Sequence, residues 1–192
     1  MFVFLKILLT MAAALALGLS ITAYALSGAS PFDSVRLGPW IVAAHAGSME
    51  ADPYTRAILE RTGEIPLANG EGIQMIAWTD DAGRKLDSRC VYSVGPHVPA
   101  ARYWTLGLID KHGFPVGNRA ERYVFRSSEI LRSSGGDFAI TVAAEVQPGN
   151  WLPIGAPGAF GLALRLYDSP LGATAGEIER SAAPRITRTG CG

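Results

Sequence analysis

The chain has 192 residues, with 17 basic and 17 acidic side chains and no net charge at neutral pH. That balance excludes the one-signed field by which proteins hold nucleic acid, so no nucleic-acid partner is expected. Hydrophobic residues make up 48% of the sequence, and the roughly 165 residues outside the apolar N-terminus suffice for one domain with a core of its own.

Residues 1–26 carry a single charge, Lys6, and from Ile7 to Leu26 almost every side chain is apolar. A helix rises about 1.5 Å per residue, so this run can cross a hydrocarbon layer of about 30 Å. Residues 7–26 are therefore expected to engage a membrane. Lys6 precedes the run and the next basic residue is Arg36. Positive charge stays inside, which predicts a single-pass inner-membrane protein with a cytoplasmic N-terminus and a periplasmic C-terminal domain. Ala23-Tyr24-Ala25 has the form of a signal-peptidase site, so cleavage after Ala25 and release into the periplasm is the competing reading. The apolar run is longer than the roughly 7 to 15 residues of a signal h-region, which favours the uncleaved anchor.

Residues 27–38, rich in Ser, Gly and Pro, read as a linker, and residues 39–192 as the folded domain. Asp52-Pro53 is an N-cap followed by proline at the first helical position, predicting a short helix to Arg61 that ends at Gly63. From Gly72 onward the pattern has period two. Strands are predicted at 73–79, 89–94, 101–110, 122–126, 138–144 and 160–166, with turns at 80–83, 111–113 and 133–136. Gly107, inside one of these strands, marks a bulge or a close backbone approach. Turns at this spacing without long helices between them predict an all-β, antiparallel sandwich.

Cys90 and Cys191 are the only cysteines. In an exported chain such a pair is most simply a disulfide, here pinning the C-terminal tail to the body of the domain. Two free thiols, or a bridge from Cys191 to another chain, are the alternatives. The three histidines, His45, His97 and His112, stand in no metal-ligand spacing. The sequence holds no nucleophile elbow, phosphate-binding loop or dinucleotide fingerprint. No metal, no cofactor and no catalytic residue are predicted.

Two features suggest a ligand site. In the strand at 160–166 the leucines form one face, and Gly161, Ala163, Arg165 and Tyr167 the other. Small residues around Arg165 would make a shallow pocket with a guanidinium at its base. Arg102, Arg122 and Arg126 on other strands would add to it, giving a site for an anionic small molecule. The plainer reading is a set of solvated or ion-paired strand arginines. In the loop 149–153, Trp151 either plugs the end of the sandwich or stacks on a ligand, and Asn150 closes the loop by bonding to nearby backbone.

Arg102-Tyr103-Trp104-Thr105-Leu106, a turn ending in Gly113, Asn118-Arg119 with Arg122-Tyr123, Gly149-Asn150-Trp151-Leu152-Pro153 and Leu164-Arg165-Leu166-Tyr167 follow one another in that order. This ordered set, over residues 73–168, resembles the bacterial family known as domain of unknown function 1214. The resemblance implies a jelly-roll-like sandwich and brings no reaction, cofactor or catalytic residue. In many relatives the domain follows a second one, domain of unknown function 1254. Here the N-terminal part is expected to hold only the apolar segment and a short helix, and a separate protein partner could supply the other half.

The sequence thus favours a membrane-anchored, periplasm-facing binding or interaction module. A cell-envelope hydrolase or carbohydrate-active enzyme is one alternative, and it requires two titratable groups converging in a cleft. A purely structural envelope protein is the other.

Overall fold

The computed structural model describes residues 2–27, 32, 34–43, 45–68, 70–155, 158–172 and 183–192. Helix α1, Phe2–Ala25, buries none of its side chains. Its 24 residues give a length of about 36 Å, and it is long and apolar enough to cross a membrane.

The linker expected at 27–38 ends in a strand. β1, Ser34–Leu37, pairs antiparallel with β2, Trp40–Ala43. Gly38 turns the chain between them at φ 63°, a conformation glycine adopts without strain. Of the residues that suggest a linker, Gly38 belongs to a hairpin turn, while Leu37, Trp40 and Val42 face the core. Residues 28–31 and 33 of that stretch lie outside the described residues.

Helix α2, Pro53–Thr62, forms where expected. Asp52 accepts from the backbone N–H groups of Tyr54 and Thr55 at 2.9 and 3.3 Å. Gly63 closes the other end with an N–H to the Leu59 carbonyl at 2.8 Å.

The remaining strands are β3 (Gly72–Ala77), β4 (Cys90–Gly95), β5 (Tyr103–Ile109), β6 (Val124–Arg126), β7 (Ile140–Ala143), β8 (Asn150–Pro153), β9 (Gly161–Tyr167) and β10 (Arg185–Cys191). They make two sheets, in the orders β1-β2-β3-β9-β5-β6 and β10-β4-β7-β8. This is the all-β sandwich that the period-two pattern predicts. Met75, Leu164, Leu106 and Phe125 lie side by side across four strands of the larger sheet. They meet Tyr92, Val94, Ile140, Val142, Leu152 and Ile186 of the smaller one in a single core. Burying each such side chain contributes about 1.5–3 kcal/mol. Trp40 is fully buried and its Nε1 donates to the Pro184 carbonyl at 2.7 Å, tying β2 to the segment that enters β10.

Gly107 is a close approach rather than a bulge. β5 keeps unbroken register with β6 and β9, and a Cβ at Gly107 would stand 3.0 Å from Val124 Cγ1 and 3.2 Å from the Tyr123 carbonyl oxygen.

β7 and β8 pair in parallel, although only residues 144–149 connect them. Parallel neighbours ordinarily need a dozen or more connecting residues. These strands are four residues long, so the return covers only about 10 Å, within reach of an extended six-residue link.

Candidate functional site

The outer face of the larger sheet holds the arginines singled out in the sequence. Gln74, Arg165, Thr105 and Arg126 form one row across β3, β9, β5 and β6. Arg165 Nε donates to Gln74 Oε1 at 2.6 Å, and Gln74 in turn donates to Glu64. Arg126 and Arg122 share Glu129, at 3.2 and 2.6 Å. The Arg122 guanidinium also lies 4.3 Å from the centre of the Phe125 ring. Arg102 is highly exposed and 3.7 Å from Asp168, next to the Tyr103–Tyr167 ring pair. The fold therefore brings Arg126 and Arg165 to one face of the sheet, sets Arg122 just before β6 against Phe125 and Glu129, and sets Arg102 apart with its own acid. The hollow expected beside Gly161 is covered, because the Trp78 ring lies 2.8 Å from where a Cβ would stand.

Asn150 is buried and fully engaged. Its amide donates to the Leu131 and Ala139 carbonyls at 2.8 and 3.0 Å, and its oxygen accepts from the Leu131 N–H at 2.7 Å. It closes the loop onto backbone, leaving neither amide hydrogen for a ligand. Trp151 is half-buried on β8, and its Nε1 donates to the Ala143 carbonyl at 3.0 Å. Among the described residues no three His, Cys, Asp or Glu side chains gather where they would hold a metal ion.

A second site lies at the opposite sheet. Cys90 and Cys191 are disulfide-bonded, and beside the bond is an open cavity of about 360 Å3 lined by Arg84, Lys85, Asp87, Arg89 and Arg188. Two tight turns and an edge strand build it. The turn after β3 carries Asp80, Arg84 and Lys85. Asp80 Oδ1 accepts from the N–H groups of Ala82 and Arg84 at 3.0 and 2.9 Å. Asp80 Oδ2 accepts from Arg84 Nε at 2.9 Å and lies 3.3 Å from Arg188 Nε. Arg188, on β10, has a largely buried side chain that sits over the Tyr92 ring and donates to the Lys85 carbonyl at 2.6 Å. Its buried Nε makes no hydrogen bond among the described residues.

Arg89 grips Asp87 with both prongs, at 3.0 Å each. The hydrogen bond from the Arg89 side chain, joined by that from its backbone N–H, lowers the Asp87 carboxyl from 3.8 to about 2. Because the native value is depressed, the pair's contribution to stability is present above pH 3.8 and is lost as the pH falls through about 2. A carbon-13 NMR titration should place the Asp87 midpoint near 2, rising toward 3.8 in Arg89→Gln. An Asp87 midpoint near 3.8 in the unaltered protein would contradict this pairing.

Residues 71–171, just over half of the chain, match the model of the family described as Protein of unknown function (DUF1214). The crystal structure of the VPA0106 protein from Vibrio parahaemolyticus is similar at a TM-score of 0.61 and 19% identity, over 77% of this chain and 39% of that one. A crystal structure of an uncharacterised protein from Burkholderia cenocepacia aligns at a TM-score of 0.38 and 17% identity, over 71% of this chain and 43% of that one. The chain thus spans about two-fifths of the length of each solved structure. The Vibrio likeness is one of fold. No curated protein matches the chain.

Proposed function

The chain belongs to the DUF1214 family, and on that footing we propose that it is a membrane-tethered binding module whose sandwich faces the periplasm. One pairing of features supports the reading: an apolar helix with no buried side chain leads into a domain closed by a disulfide. The helix suits a hydrocarbon layer, and a structural disulfide persists on the oxidising side of it. Binding is favoured over reaction by how the polar groups are used. Arg102, Arg122 and Arg165 are matched by Asp168, Glu129 and Gln74, whereas the basic cavity beside the disulfide stays open.

Alkaline carbonate extraction of bacterial membranes, followed by N-terminal sequencing, tests the tether. The full-length chain should stay in the membrane pellet. A soluble chain beginning at Leu26 would instead make it a free periplasmic protein, and a soluble full-length chain would overturn both export readings.

A further inference from the structure

We propose that the cavity beside the Cys90–Cys191 disulfide binds a phosphate-type oxyanion between Arg188, Arg84 and Lys85. The inference deepens the binding-module reading by naming a ligand class, and rests on it.

Charge count is the first observation. Arg84, Lys85, Arg89 and Arg188 line the cavity, whereas the nearby carboxylates are those of Asp80 and Asp87. Asp87 is taken up by Arg89 in a two-pronged pair. Asp80 is divided between Arg84 and Arg188 and also caps the turn. Lys85 has no acidic partner among the described residues. The cations exceed these acids by two, and by one even if a carboxylate at Gly192 is set against them. The whole chain is neutral, so this excess is a local one.

Donor geometry is the second. Arg188 is held from three sides, by the Tyr92 ring, the Lys85 carbonyl and Asp80. Its Nε is buried and turned to Asp80, 3.3 Å away, so that edge anchors the guanidinium rather than reaching into the cavity. A guanidinium fixed this way is preorganised for a planar, charge-assisted contact, which suits phosphate better than halide. Size is the third. About 360 Å3 is at the small end for ligand pockets, and a small phosphate monoester or a lipid headgroup matches it. The disulfide closes one wall and holds the end of β10, and with it Arg188, against β4.

The test uses the full chain in neutral-lipid nanodiscs, titrated with inorganic phosphate at an ionic strength held constant with chloride. Binding is read by calorimetry. A saturable signal is expected, weakened about tenfold by Arg188→Gln and several-fold by Lys85→Gln. Lys85 is exposed, so its replacement leaves the fold intact even if Arg188→Gln does not. Lys111→Gln removes the same charge from a turn outside the cavity and should change nothing. Repeating the titration in discs containing phosphatidylglycerol separates the sources. An unchanged signal assigns the site to free phosphate, and a blunted one assigns it to a lipid headgroup. No saturable signal in neutral discs, or one that Lys85→Gln leaves unchanged, overturns the site. A tethered chain blind to phosphate removes the site and keeps the tether, and a phosphate-binding chain that leaves the membrane does the reverse.

Discussion

Replacing Cys90 and Cys191 together with serine should lower the unfolding free energy by about 3–4 kcal/mol. The bond closes a loop with a sequence separation of 101 residues. The chain-entropy model gives about 4.7 kcal/mol for a loop of that size, and measured effects usually fall below the model. The local structure makes the loss concrete. β10 is an edge strand whose only fully buried side chain is Ile186, and its pairing with β4 shifts register between Arg188 and Gly190. Beyond that shift the bond from Cys191 to Cys90 is the strongest restraint on the strand. Urea unfolding of the serine variant should show a lower midpoint, and hydrogen exchange should rise first along 187–191. An unchanged midpoint would show that the bond is incidental to stability.

Asp80→Ala should be comparably damaging, at about 3–5 kcal/mol. The Asp80 carboxylate is essentially buried. It caps the turn through the N–H groups of Ala82 and Arg84, and it faces both Arg84 and Arg188. Arg84 is about half exposed, so solvent screens its share. Arg188 is only 17% exposed, and removing Asp80 leaves its charge buried and uncompensated, which is the expensive term. Asp80→Asn keeps an oxygen for the turn amides but removes the same charge, so it should cost nearly as much, about 3 kcal/mol. Chemical unfolding of the two variants checks this. An Asn variant about as stable as the unaltered protein would mean that the turn cap, not the charge on Arg188, sets the loss.

The long strands were legible because each turns one face wholly to the core, although β5 and β9 also bury part of the other. Cys90, Tyr92 and Val94, or Trp104, Leu106 and Leu108, recur at every second position and are buried together. Capping residues made α2 readable within a residue. Short strands were harder to see. β1 and β2 span four residues each around a Gly-Pro turn, and β8 carries Asn150 and Pro153, both common in loops. β10 alternates polar residues around Ile186, since it is an edge strand with little to bury.

That gap hid the basic cavity. Lys85 and Arg188 are about a hundred positions apart, and only the pairing of β10 with β4 puts them together. The one signal in the sequence was the cysteine pair, because joining Cys90 to Cys191 necessarily draws the neighbourhoods of Arg89 and Arg188 into one place. The arginines on the larger sheet were visible through their strand positions, but their acids were not. Glu129 lies in a short turn after β6, and Asp168 just past the end of β9.

Periplasmic placement of the sandwich is tested most directly by labelling intact spheroplasts with a membrane-impermeant amine reagent and mapping the modified lysines. The chain has three, Lys6 before the apolar helix and Lys85 and Lys111 on exposed turns of the domain. Lys85 and Lys111 should be modified in intact spheroplasts, and Lys6 only after lysis. Modification of Lys6 with protection of Lys85 and Lys111 would contradict the placement.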